Sequence, residues 1–155
     1  MVSDTPTKFF LVKGEGEASF SLTAFDAALL DSGVGNTNLV KVSSILPPAC
    51  EEITPIPLPL GALVPVAYAS ITSDKSGELI SAAVAVAIPE NRSKPGLIME
   101  VSGKEPSSEV EKRAREMVKE GMALRKEPVS RILSVSIEHR VNKVGAVFAG
   151  VVLWK

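Results

Sequence analysis

The chain is poor in the residues from which many catalytic devices are built: its 155 positions include one cysteine, one histidine, one tryptophan and one tyrosine. A lone Cys50 forms no intrachain disulfide and supplies no cysteine cluster for a metal. Its ordinary reading is a small buried side chain. His139 alone is on offer as base or ligand for the usual serine, cysteine or metal enzymes. It falls on an alternating stretch, Ile132 to Val141, that reads as a strand, so a structural or surface role is the better reading and no metal site is expected. Aromatics make up 5% of the chain against 45% apolar residues. The core therefore has to be assembled from Val, Ala, Leu and Ile, which suit closely packed sheets.

Neither sign of charge predominates. Seventeen basic and eighteen acidic side chains leave a formal net charge of -1, and no stretch gathers Lys and Arg on the scale that phosphate-backbone binding needs, so nucleic acid is not an expected partner. No apolar run approaches the length of a membrane span, and Met1 to Lys8 is polar. The expectation is a soluble, cytoplasmic protein without a membrane partner. There is no G-x-S-x-G elbow, P-loop or H-E-x-x-H. Gly14-Glu15-Gly16 and Gly33-Val34-Gly35 read as turns, not as parts of a dinucleotide fingerprint.

What remains is a succession of short apolar elements fit for one domain of this length. Phe9 to Val12 reads as a strand ended at Gly14. From Ser21 to Ser32 the period changes, with Leu22, Phe25, Leu29 and Leu30 along one helical face, Ser21 or Thr23 as cap and Gly33 as stop. Asn38 to Ile45 has strand character and halts at Pro47-Pro48. Ile53 to Leu60 carries three prolines and reads as extended loop or edge. Gly61 to Ser70 and Leu79 to Ile88 read as an antiparallel hairpin, followed by a strand at Gly96 to Val101. Ser107 to Lys126 predicts an amphipathic helix through Val110, Ala114, Met117, Val118 and Met122. Ile132 to Val141 and Gly145 to Trp154 read as a second antiparallel pair. The order argues for an α+β fold with helices covering mostly antiparallel sheets.

The chemistry-bearing stretch runs from Gly35 to Pro48. A Ser43-Ser44 pair alone is weak evidence, because hydroxyls are common at strand ends. Here it stands late in an apolar strand just before a double proline, where a hydroxyl needs a reason to be. Asn36-Thr37-Asn38-Leu39 followed by Val42-Ser43-Ser44-Ile45-Leu46-Pro47-Pro48 resembles the pyruvoyl-dependent arginine decarboxylases of the archaeal type. Thr23 to Leu30, Gly61 to Pro65, Ile80 to Ala83, Gly96 to Glu100 and Val151 to Trp154 resemble further blocks of that family. The likeness covers nearly the whole chain from about Phe10, in order.

The resemblance implies a four-layer αββα sandwich and a chain that cuts itself. The Ser44 hydroxyl would attack the Ser43 carbonyl, turning the amide into an ester through an oxyanion. β-Elimination would then split the chain into residues 1–43 (β chain) and 44–155 (α chain). The dehydroalanine left at position 44 would tautomerise, take up water and lose ammonia to give a covalent pyruvoyl group, the electron sink for decarboxylation. The resemblance also assigns roles. Asn38 would serve processing as an amide donor to the oxyanion, Glu100 would be the proton donor, and Asp26 would engage the substrate guanidinium. Leu29 and Ile45 would line the aliphatic part of the substrate. The implied reaction is arginine to agmatine and carbon dioxide, a step toward polyamines, in a homotrimer with sites at subunit interfaces. The alternatives are the same fold acting on another amino acid, or an uncleaved, non-enzymatic trimeric relative.

Overall fold

Long runs of Val and Ala become strands buried on both faces, and these dictate the layering. The structure is a computed structural model that describes residues 5–155; Met1 to Asp4, half of the polar start, lie outside the described residues. In chain order the elements are β1 (Lys8–Ala18), α1 (Ser21–Asp31), β2 (Asn38–Lys41), β3 (Ile45–Leu46), β4 (Glu51–Glu52), β5 (Leu63–Ser73), β6 (Leu79–Pro89), β7 (Gly96–Gly103), α2 (Ser107–Leu124), β8 (Val129–Arg140) and β9 (Val144–Trp154). They form a five-stranded sheet, β2-β5-β9-β1-β4, and a four-stranded sheet, β3-β7-β6-β8. Most pairs are antiparallel; β1 with β4 and β2 with β5 are parallel.

Three cores separate four layers. Between the sheets lie Phe9, Ala67, Ala69, Ile80, Val84, Val86, Ile98, Val147 and Val151. Phe10, Ala24, Ala28, Val66 and Phe148 join α1 to the outer face of the larger sheet. Ala83, Ala85, Leu97, Val110, Ala114, Val118 and Met122 join α2 to the outer face of the smaller one. The arrangement is the αββα sandwich that the resemblance implies.

Several local expectations fail for identifiable reasons. Gly14 and Gly16 do not turn the chain; both lie inside β1, paired along its length with β9. A Cβ on Gly14 would stand 2.2 Å from the Ala28 carbonyl oxygen, and one on Gly16 2.5 Å from the Ala27 Cβ. The glycines are there because α1 rests directly on the strand backbone. Neither expected hairpin exists. β5 and β6 belong to different sheets, as do β8 and β9, so each connection crosses between layers. Sheets pack about 10 Å apart, a gap that the short segment 74–78 spans easily. The stretch Asn38 to Ile45 is not one strand either: β2 ends at Lys41 in the larger sheet and β3 begins at Ile45 in the smaller one.

The helices keep their expected places with altered details. No side chain caps α1 from Ser21; Thr23 Oγ donates to the Phe20 carbonyl at 3.1 Å instead. Gly33 follows the helix at φ +88°, a left-handed conformation suited to glycine. Met117 is 40% exposed and Leu22 78%, so both point away from the stripes to which spacing assigned them. Cys50 is buried, and burial pushes its thiol up to about 11. His139 clasps the two sheets together: its Nε2 meets Glu17 Oε at 2.5 Å and its Nδ1 lies 3.4 Å from Glu15 Oε, both on β1.

Candidate active site

The Ser43-Ser44 peptide occupies the crossover from β2 to β3, outside the ladders of both sheets. Before it, the Val42 N–H donates to the Val66 carbonyl at 3.1 Å, and the Val42 side chain packs on the core between the sheets. After it, Ile45 pairs with Leu97 and Leu46 with Gly96. Ser44 itself is held by its carbonyl, which accepts the Ile98 N–H at 2.7 Å. The chain is thus anchored on both sides of a peptide that is free of ladder bonds, and Pro47-Pro48 ends the short strand beyond it.

Glu100 belongs to the same corner. On β7, Leu97 joins the core under α2 while Ile98 joins the core between the sheets. Side chains alternate along a strand, so Glu100 shares the face of Ile98. Carrying the β3–β7 register back one residue sets Ser44 opposite Ile98. Glu100 then lies on the diagonal from Ser44, a relation that typically spans about 7–8 Å. Burial raises the proton affinity of the Glu100 carboxyl above the ordinary carboxylate range, and the Lys41 charge pulls against it. Burial thus shifts this half-buried carboxyl toward its protonated form.

Within one chain the remaining candidates lie elsewhere. Asn38 opens β2 while the serines follow its end, so five residues, at most about 16 Å of chain, separate Asn38 from Ser43. The Asn38 Nδ2 donates to the Gly61 carbonyl at 3.0 Å, and its backbone N–H donates to Ala62 at 2.8 Å. Gly61 takes φ +74° there, so the Asn38 amide fastens the turn that leads into β5. Asp26 is exposed on α1, and Leu29, partly buried, packs on the core beneath that helix. Ile45 is 43% exposed beside Ser44. One chain therefore brings together Ser43, Ser44, Ile45 and Glu100, and holds Asp26, Leu29 and Asn38 around α1 and the start of β2.

Two neighbours of the corner carry no role on sequence grounds. Lys41 lies over the Tyr68 ring, 4.6 Å from its centroid, and Ile98 supplies the N–H that fixes Ser44. Only their nearness in the chain to Ser44 and to Glu100 hinted at either.

Set beside known proteins, this chain falls in the class of decarboxylases. In Methanocaldococcus jannaschii a pyruvoyl-dependent arginine decarboxylase is 51% identical over 150 residues, covering 96% of this chain and 90% of the relative. One from Pyrococcus abyssi is 40% identical over 153 residues, covering 97% of this chain and 96% of that one. A solved pyruvoyl-dependent histidine decarboxylase aligns with 60% of this chain and 51% of its own, at a TM-score of 0.48 and 13% identity. Residues 8–155 match the family described as pyruvoyl-dependent arginine decarboxylase, and the chain belongs to that family.

The corner fits the group that gives the family its name. Residue 44 is a serine, the precursor a pyruvoyl group requires. Its carbonyl is pinned, its amide lies outside the ladders, and a carboxyl whose burial favours its protonated form stands on the same face.

Proposed function

We propose that this protein cleaves itself between Ser43 and Ser44 and then decarboxylates L-arginine to agmatine. The observation that carries the reading is the pairing, at one sheet crossover, of an anchored serine with a carboxyl whose burial favours its protonated form. Anchors on either side hold the Ser43 carbonyl and the Ser44 hydroxyl in one place, so attack costs little orientational entropy. When bound, the pyruvoyl group supplies a carbonyl that draws electrons from the substrate as carbon dioxide leaves.

The residues of the chain do the rest. Glu100 holds a proton on the face shared with residue 44 and delivers it to the substrate carbon after decarboxylation. Ile45 offers apolar surface beside it. Asp26, exposed on α1, has the paired oxygens that suit a guanidinium fork. Since Asp26, Leu29 and Asn38 lie apart from Ser44 and Glu100 in one chain, the reading requires a neighbouring protomer to complete each site. A trimer with sites between subunits meets that requirement. The substrate itself is tested by release of labelled carbon dioxide from arginine, lysine and ornithine. Release from arginine alone supports the assignment; release from another amino acid in preference to arginine rejects it.

A further inference from the structure

β2 is an edge strand of the larger sheet, four residues long and paired with β5 alone. Under the proposed reaction the chain is cut just beyond it. β-Elimination breaks the ester C–O bond on the Ser44 side and releases Ser43 as a carboxylate, which leaves Val42-Ser43 as a new chain end. Such ends fray unless they are tied down.

This end is tied on both faces of the sheet. Lys41 pairs with Val66, and Val66 and Tyr68 belong to the core under α1. Partners across a ladder share a face, so Lys41 points toward α1. Its ammonium rests 4.6 Å from the centroid of the Tyr68 ring, where the ring quadrupole attracts a cation. Tyr68 is itself held, its ring centroid 5.0 Å from that of Phe148 and 6.3 Å from that of Phe25. Val42 points the other way, as the next residue of an extended chain does. Its side chain packs on the core between the sheets, which includes Ile98, and its N–H donates to the Val66 carbonyl. Ile98 in turn holds the Ser44 carbonyl. None of these contacts involves the scissile peptide, so the cut breaks none of them.

We propose that the carboxyl end made by the cut stays docked beside residue 44 as a wall of the active site, with Lys41 as the positioning residue that holds it. The inference rests on the cleavage proposed above. Val42 keeps the apolar core next to residue 44 closed to water. Ser43, exposed in the fold, keeps its new carboxylate beside the site, where a negative charge favours the approach of a cationic substrate.

The test follows the new end. Cleaved enzyme is treated with carboxypeptidase Y and the mass of the 1–43 fragment is tracked, each rate being divided by that for a free peptide of the same ending. Trimming follows the fraction of time the end is undocked. Wild type and Lys41→Arg, which keeps the cation, should resist. Lys41→Ala and Tyr68→Leu should lose Ser43 about two- to fivefold faster, the worth of one exposed cation–π contact. Tyr68→Leu also disturbs the core under α1, so Lys41→Ala, at an exposed position, carries the decision. Wild-type enzyme trimmed by prolonged digestion, its 44–155 fragment unchanged in mass, should show a raised KM for arginine and a nearly unchanged kcat. A Lys41→Ala end trimmed no faster than wild type, or a trimmed enzyme with the untrimmed KM, overturns the proposal and leaves the decarboxylase reading intact. A chain that yields no 1–43 fragment defeats the cleavage reading itself, and this proposal falls with it.

Discussion

The carbonyl of Ser44 accepts the backbone N–H of Ile98 at 2.7 Å, which ties the crossover between the sheets to the strand that carries Glu100 two residues on. Serine and acid are therefore positioned by one ladder, and disturbance of β7 reaches both. Under the proposed function their effects should be separable all the same, because each would do different chemistry.

Glu100→Gln should lower turnover by about 10²–10⁴-fold, the usual worth of a placed general acid, without preventing cleavage. It should also change stability with a definite sign. The folded protein raises the proton affinity of Glu100 above the ordinary carboxylate value of 4.5. The native state therefore binds this proton more tightly than the unfolded chain does, and its contribution is full below that value and lost as pH rises through the folded one. Glutamine mimics the protonated form. Thermal melts should find Glu100→Gln more stable than wild type at neutral pH, with the difference closing in acid; an equal Tm at all pH values contradicts the burial argument.

Glu17 is the opposite case. Burial raises its proton affinity, but N–H groups of Lys143 and Asn142 together with His139 outweigh that and hold its carboxyl below the ordinary range. Its contribution is present above 4.5 and is lost as pH falls through the folded value. Glu17→Gln should cost about 1–2 kcal/mol near neutrality, the scale of hydrogen bonds to a charged group. Urea melts at pH 7 and in acid check this, and the penalty should shrink in acid.

Gly14→Val should destabilise the fold by about 1–3 kcal/mol, the usual cost of overpacking, because the added carbons meet the α1 backbone at Ala28 and Ser32. By displacing α1 it should also raise KM for a cationic substrate if Asp26 engages that substrate. An unchanged denaturation midpoint rejects the close helix-on-strand packing.

These glycines also show where the sequence stops being legible. The spacing of apolar residues located both helices, the long strands and the halt at Pro47-Pro48, since each depends on neighbours a few residues away. It did not reveal which strands pair. β5, β6 and β9 are buried on both faces, so no polar face marks which side is core, and a short connector closes a hairpin or crosses a 10 Å gap equally well. Gly14 and Gly16 look like turn residues because nothing local distinguishes a bend from a helix lying across a strand. Ser43-Ser44 stood out in sequence, whereas the setting on which its proposed chemistry draws, a crossover braced by Val66 and Ile98, is made of contacts far apart in the chain.

Separation of Asp26 and Asn38 from Glu100 within one chain leads to a complementation test. Asp26→Asn and Glu100→Gln, each nearly inactive alone, should recover activity when co-expressed if sites form between protomers. Random mixing in a trimer makes roughly a quarter of such sites intact. Recovery near that level supports shared sites, and none argues that each chain holds a whole site.

The most direct measurement is denaturing mass spectrometry of the purified protein, with Ser44→Ala beside it. Wild type should resolve into residues 1–43 and 44–155, the larger fragment blocked to Edman sequencing by its pyruvoyl group, while Ser44→Ala should stay whole. A single uncut species of 155 residues, with no carbon dioxide released from arginine, would contradict the account.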